Sequence, residues 1–245
     1  MLRFSLLLLV ACPLLTLAAP APKDALAAWG KAIDPAKDCK FDVTGTKLKI
    51  SVPGGKEPHD LSAELNAPMH APRVMKEVEG DFQMDVTVGA FEVPAGAEGG
   101  TERNVAFFGA GFLAWQDEKN YVRLERAMFR RGDEQPPCYI SFELRRNSEF
   151  VKYGTPSDGN LDPKKGATLR LKRKGNTFSA AVTEDDGKTW NELKSLDVEF
   201  DKKLQAGVIA VNTAKADFAP EFDKYNLGEL KEEKIEKVEE KSDKK

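Results

Sequence analysis

The chain reads as an all-β protein, an antiparallel two-layer sandwich or barrel, on three observations. Short runs that alternate apolar and polar residues recur along most of its length, as with Leu48, Ile50 and Val52 against Lys49 and Ser51. Clusters of glycine, proline, asparagine and aspartate separate these runs. No amphipathic helix of ordinary length follows the N-terminal apolar stretch, apart from a short turn at 25–31 that carries Trp29. Half-buried strands have a period of two, and many short strands without intervening helices pack as sandwiches or barrels.

Taken in order, strands are predicted at 40–44 and 47–52, flanking Gly45, with Pro53-Gly54-Gly55 ending the second. Runs at 60–65 and 73–78 bracket a proline-containing loop that holds His70. A longer alternating strand covers 80–91, with Phe82, Met84, Val86 and Val88 on one side. After a loop rich in glycine and alanine come 105–115 and 121–129, then 139–145, 167–173, 177–183, 205–212 and 218–227. No composition break separates two domains. The predicted organisation is a signal peptide at 1–18, a lead-in at 19–37, one β-sandwich at 38–228 and a charged tail at 229–245.

The two ends carry their own signals. Met1-Leu2-Arg3 supplies a positive start, and 4–19 is an apolar run without charge. It is short of the roughly 20 residues a membrane span needs, and Thr16-Leu17-Ala18 offers a cleavage site before Ala19. This predicts a secreted, periplasmic or cell-envelope protein with no transmembrane segment after processing. Leu9-Val10-Ala11-Cys12 also fits a lipobox, the minor alternative being a lipoprotein anchored through Cys12. The tail from Glu229 alternates lysine with acids and holds few apolar residues, so it cannot order itself by burial.

The formal net charge is −3, and removing the leader takes away Arg3 and no acid. A nucleic-acid surface normally carries a strong basic excess, so nucleic acid is excluded as a partner. A monomer is expected. Cys39 and Cys138 remain after processing, and an exported pair forms a disulfide, contributing on the order of 4–5 kcal/mol by closing so long a loop. Two buried thiols are the alternative reading.

One stretch, Gly109 to Arg126, concentrates the functional signal. Its second strand places Tyr121, Arg123 and Glu125 on one face and Val122, Leu124 and Arg126 on the other. If it neighbours 139–145, then Tyr139, Ser141, Glu143 and Arg145 join the polar face, while Ile140, Phe142 and Leu144 join the core. Aromatic rings stack on the C–H faces of sugars and charged planar groups hold hydroxyls. The ligand-binding candidates are therefore Trp115, Tyr121, Arg123, Glu125, Tyr139 and Glu143. The competing reading is a ladder of cross-strand ion pairs worth roughly 0.2–1 kcal/mol each.

Catalysis would need paired carboxylates, and Glu125 with Glu143 are the weak candidates. Arg123, Arg126, Arg145 and Arg146 crowd that region, and neighbouring guanidinium groups lower a carboxylate's pKa, the wrong direction for a general acid. No catalytic residue is assigned on this basis.

Other motifs read structurally. Thr183-Glu184-Asp185-Asp186-Gly187-Lys188-Thr189-Trp190 matches the Asp-box hairpin, in which the aspartate bonds turn amides and the tryptophan packs beneath. Asp158, Asn160 and Asp162 have calcium-loop spacing, but Pro163 replaces the required glycine and Leu169 the bidentate glutamate. His59 and His70 stand far from any cysteine in sequence, so no metal site is predicted. No phosphate-binding or dinucleotide fingerprint appears, and no cofactor is implied.

Several stretches together resemble domain-of-unknown-function family 1349, exported bacterial proteins of the concanavalin-A-like lectin/glucanase superfamily. They are Gly80-Asp81-Phe82, the 109–126 stretch, the hairpin from Asp185 to Trp190, and Ala206-Gly207-Val208-Ile209-Ala210-Val211. The resemblance spans about 38–227 and implies a two-sheet jelly roll. It implies no established reaction, and the E-x-D-x-E strand of the glucanase branch is missing. The function expected is an exported, non-catalytic binding module for a glycan or cell-envelope component. Its rivals are a glycoside hydrolase and a structural or protein-interaction module of the envelope.

Overall fold

The computed structural model describes residues 25–61, 69–100, 104–134 and 137–230. The predicted signal peptide, Cys12 and nearly all of the charged tail lie outside those residues. Two antiparallel sheets face one another, giving a β-sandwich. The first sheet runs β1 (Lys31–Ile33), β4 (Arg73–Glu79), β14 (Lys203–Asn212), β6 (Ala106–Asp117), β7 (Asn120–Arg130), β8 (Cys138–Arg146) and β9 (Glu149–Lys152). The second runs β12 (Asn191–Glu192), β11 (Thr177–Thr183), β10 (Ala167–Lys174), β5 (Phe82–Val88), β15 (Glu221–Gly228), β3 (Lys47–Ser51) and β2 (Lys40–Thr44). Here β13 (Leu196–Asp197) is added beside β11.

The core lies between the sheets. Phe108, Phe112, Val122, Leu124, Phe142 and Val208 from the first sheet meet Met84, Val86, Leu169, Leu171, Phe178 and Phe222 from the second. Each such side chain contributes about 1.5–3 kcal/mol through burial, which holds the layers together.

The sheets differ in their outer faces. In β10 and β3 buried residues alternate with partly or fully exposed ones, as in a sheet with one wet face. In β6, β7 and β8 nearly every residue is buried, so the first sheet is covered on both sides. Its outer cover is a second apolar cluster in which Leu61 and Ala71 pack with Met75, Leu113, Trp115, Tyr121, Ile209 and Val211. Of the run predicted as a strand at 60–65, Asp60 and Leu61 lie within the described residues and the rest outside them; Asp60 bridges Met69, and Leu61 packs on this face.

The described part of the lead-in belongs to the sandwich. β1 pairs with β4, and Trp29, buried, stacks on Tyr225 with ring centroids 4.8 Å apart. The expected disulfide is corrected: Cys39 and Cys138 are free thiols. Cys39 immediately precedes β2 at the margin of the second sheet, whereas Cys138 opens β8 in the first. The two cysteines are thus placed by different layers.

Candidate functional site

The site grows from the pairing of β7 with β8. Arg123 stands opposite Glu143, Tyr121 opposite Arg145, Glu125 opposite Ser141 and Ala127 opposite Tyr139. Pairing of β6 with β7 sets Trp115 opposite Tyr121. Because side chains alternate across a strand, all six predicted ligand residues project from the outer face of the first sheet. The structure brings them together as the period predicts.

It also buries them, where an open ligand surface was expected. Trp115 and Arg123 keep 8% of their exposure, Tyr139 4%, Glu143 2%, Tyr121 1% and Glu125 none. Two contacts hold Asp60 and Leu61 over this floor. The Tyr121 hydroxyl donates to the Leu61 carbonyl at 3.0 Å, and Arg123 Nη1 donates to Asp60 Oδ1 at 3.2 Å. On the far side Gly154 crosses so close to Ser141 that a methyl group there would overlap Ser141 Oγ. Aromatic groups line the margins: Trp115 stacks on Tyr121 at 5.5 Å with the Arg73 guanidinium above it, and Tyr139 meets Phe129 edge-on.

Arg123 is the hub of a buried charge cluster. Besides Asp60 it reaches Glu143 Oε2 through Nη2 at 3.1 Å, and its Nε lies 3.2 Å from Glu125 Oε2. That last approach lacks hydrogen-bond alignment, leaving both Glu125 oxygens and Glu143 Oε1 without a hydrogen-bond partner among the described residues. Arg145 Nε lies 3.7 Å from Glu143 Oε1. Its Nη1 donates to the Ser148 carbonyl, and its guanidinium covers the Phe150 ring. Asp60, Glu125 and Glu143 therefore confront Arg123 and Arg145, three potential negative charges against two positive.

Proton affinities follow first from burial and then from this imbalance. Burial pushes Glu125 up to about 8; Arg123 opposes the rise, and Glu143 and Asp60 add to it. Glu143 is raised by the same burial, against the pull of Arg123 and Arg145. Burial works against the charge on Arg123, but Glu125, Glu143 and Asp60 outweigh it and hold the guanidinium ionised. The expectation that crowded arginines would depress these carboxylates is reversed. Two of the four arginines face elsewhere: Arg146 is exposed, and Arg126 projects from the opposite face. Arg126 donates to the carbonyls of Phe91 and Pro163.

Space for Glu125 comes from the Gly109-Ala110-Gly111 segment of β6. A methyl at Gly109 would stand 3.1 Å from the Glu125 carboxyl carbon and 2.8 Å from the Phe107 ring. A methyl at Gly111 would overlap the Leu124 carbonyl. These glycines keep the floor flat enough for the carboxylate to lie on it.

Sequence reasoning missed Asp60 and Arg73 as partners of this face, because only the folded topology brings β4 and the 59–61 segment onto it. It also missed a second grouping. Asp38, Cys39 and His59 each offer a donor atom, and these atoms lie within 4.8 Å of one another. The reading that kept both histidines away from cysteine is therefore corrected for His59. The calcium-spaced residues have other duties: Asp158 binds Lys152 Nζ and caps the Thr155 turn, while Asp162 accepts from the Lys164 amide. The Asp-box hairpin forms as read, Asp185 accepting from the Thr189 amide and hydroxyl and from the Thr183 hydroxyl.

No protein-family model and no curated protein sequence matches the chain. Among solved structures, a functionally unknown protein from Saccharomyces cerevisiae superposes with a TM-score of 0.61 at 13% identity, covering 84% of this chain and 98% of that one. The Bacteroides ovatus xyloglucan PUL GH43B structure gives 0.50 at 10% identity over 78% of this chain, which spans 38% of that chain's length. A legume lectin-like domain from Entamoeba histolytica gives 0.49 at 11% identity, covering 91% of this chain and 100% of that domain. At such identities the likeness is one of fold, a class that hosts many functions. Among the described residues no helix is long and apolar enough to cross a membrane.

Proposed function

We propose that the protein is an exported, non-catalytic carbohydrate-binding module of the family 1349 type, acting outside the cell or in its envelope. The observation that supports this is the row of three carboxyl oxygens on Glu125 and Glu143 with no hydrogen-bond partner among the described residues, beside arginine and aromatic groups on the same sheet face. Buried carboxyl groups without partners are costly, and sugar hydroxyls can both donate to and accept from them. Reaching them requires Asp60 and Leu61 to give way, breaking the bonds from Tyr121 and Arg123. A glycan array followed by calorimetry on the purified protein tests the reading. Binding that weakens about tenfold or more in Glu143→Gln, a loss of about 1.4 kcal/mol, is expected. No glycan bound, or binding unchanged in folded Glu143→Gln and Tyr121→Phe, would sink it.

One observation favours a second reading, a glycoside hydrolase. Glu125, with its pKa raised to about 8, keeps its proton at neutral pH as a general acid must. Polysaccharide hydrolysis lost in both Glu125→Gln and Glu143→Gln would establish it, and inertness of the native protein would dismiss it.

A further inference from the structure

At the margin of the sandwich, apart from the charge cluster, the turn between β1 and β2 meets the segment that follows β3. Asp34 organises the turn, its Oδ1 accepting from the Lys37 amide at 3.0 Å and its Oδ2 from the Cys39 amide at 2.9 Å. This presents Asp38 and Cys39 side by side, with Sγ 3.4 Å from Asp38 Oδ1. His59 arrives from across the fold, fixed by reciprocal backbone hydrogen bonds with Asn212 at 2.8 and 3.0 Å. Its Nε2 lies 3.0 Å from Asp38 Oδ1. The side chain is only 7% exposed, and Nδ1 has no partner among the described residues, so protein hydrogen bonds account for one nitrogen only.

We infer that Asp38, Cys39 and His59 form a binding site for a divalent late transition metal of the zinc class. The donor set is one thiolate, one imidazole and one carboxylate, the mixed soft and borderline ligands such ions select over calcium or magnesium. Zinc bonds span about 2.0–2.3 Å, so donors grouped within 4.8 Å converge on one ion with small rotamer changes. Asp34 and Asp38 make the surroundings negative, which favours a dication. Asp38 and Cys39 retain access to solvent, giving the ion a path in and leaving a fourth position for water. Bound metal would clip the β1–β2 turn to His59, the neighbour of the Asp60 that pairs with Arg123.

The test is titration of the purified protein, kept reduced with a phosphine, using Zn2+ in a calorimeter and Co2+ in a spectrophotometer. One ion per chain and a thiolate-to-cobalt charge-transfer band are expected. The band should vanish in Cys39→Ser, and zinc affinity should fall by at least the roughly 10–100-fold typical of losing even an outer partner in Cys39→Ser, His59→Gln and Asp38→Asn. The partly exposed Asp38 makes Asp38→Asn the variant that keeps the fold. Absence of saturable binding, or a cobalt band that survives in Cys39→Ser, would overturn the assignment. Glycan binding is read by neither titration, so this result stands apart from the functional proposal.

Discussion

Arg123 and Glu143 face each other across neighbouring strands and join at 3.1 Å, both almost wholly out of water. The same guanidinium serves Asp60 and Glu125. Removing it strands Asp60 and Glu143, beside the buried Glu125, in a medium that solvates charge poorly. Arg123→Ala should therefore cost about 3–5 kcal/mol, measured as a shift of the urea unfolding midpoint. Above about pH 8, where Glu125 ionises, a Glu125→Gln background should reduce that cost.

Glu125 makes stability depend on pH with a definite sign. Its folded pKa of about 8 lies above the ordinary 4.5, so the folded chain holds a proton that the unfolded chain releases. The contribution is fully present below about 4.5 and disappears as pH rises through about 8. Urea midpoints should fall across that window in the native protein. Glu125→Gln should flatten the fall and leave the variant on the order of 2–4 kcal/mol more stable than native above the window.

The free thiols give a chemical test. Unfolded without reductant, the chain should titrate both Cys39 and Cys138, plus Cys12 wherever the leader is retained. In the folded protein Cys138 should react slowly, because burial pushes its thiol up to about 11 and the thiolate is the nucleophile. Mass spectrometry after alkylation distinguishes the sites. A linked Cys39–Cys138 peptide would contradict the structure.

Trp29 anchors the lead-in to the sandwich through its stack on Tyr225. Trp29→Ala should cost about 3–5 kcal/mol by creating a cavity at the sandwich margin. Hydrogen exchange should then show faster opening of β1 than of β7.

Legibility tracked the range of the physics involved. β3, β5 and β10 were readable because a period of two survives within each strand, and the shared face of Tyr121, Arg123 and Glu125 follows from the same rule. β1, β9, β12 and β13 are edge pieces of two to four residues, too short to show a period. The burial of Arg123 and Glu143 could not be read locally, since polar alternation on β7 and β8 looks the same whether water or Leu61 lies above it. His59 meeting Cys39 depends on the return of β14, whose Asn212 fixes His59 from a distant part of the chain.

The gap at Gly109 ties two positions of the chain into one inheritance. An alanine at 109 meets the Phe107 ring at 2.8 Å and the Glu125 carboxyl at 3.1 Å, so the shape of β6 carries the imprint of a side chain on β7 as well as one of its own. Relieving the glycine requires room at the ring as well as at the glutamate. Gly109→Ala combined with Glu125→Ala should be less damaging than the sum of its parts, a departure from additivity that a double-mutant cycle would read directly. A lineage that abandoned this acid would still meet the Phe107 ring at 109, so the glycine yields only when both neighbours do.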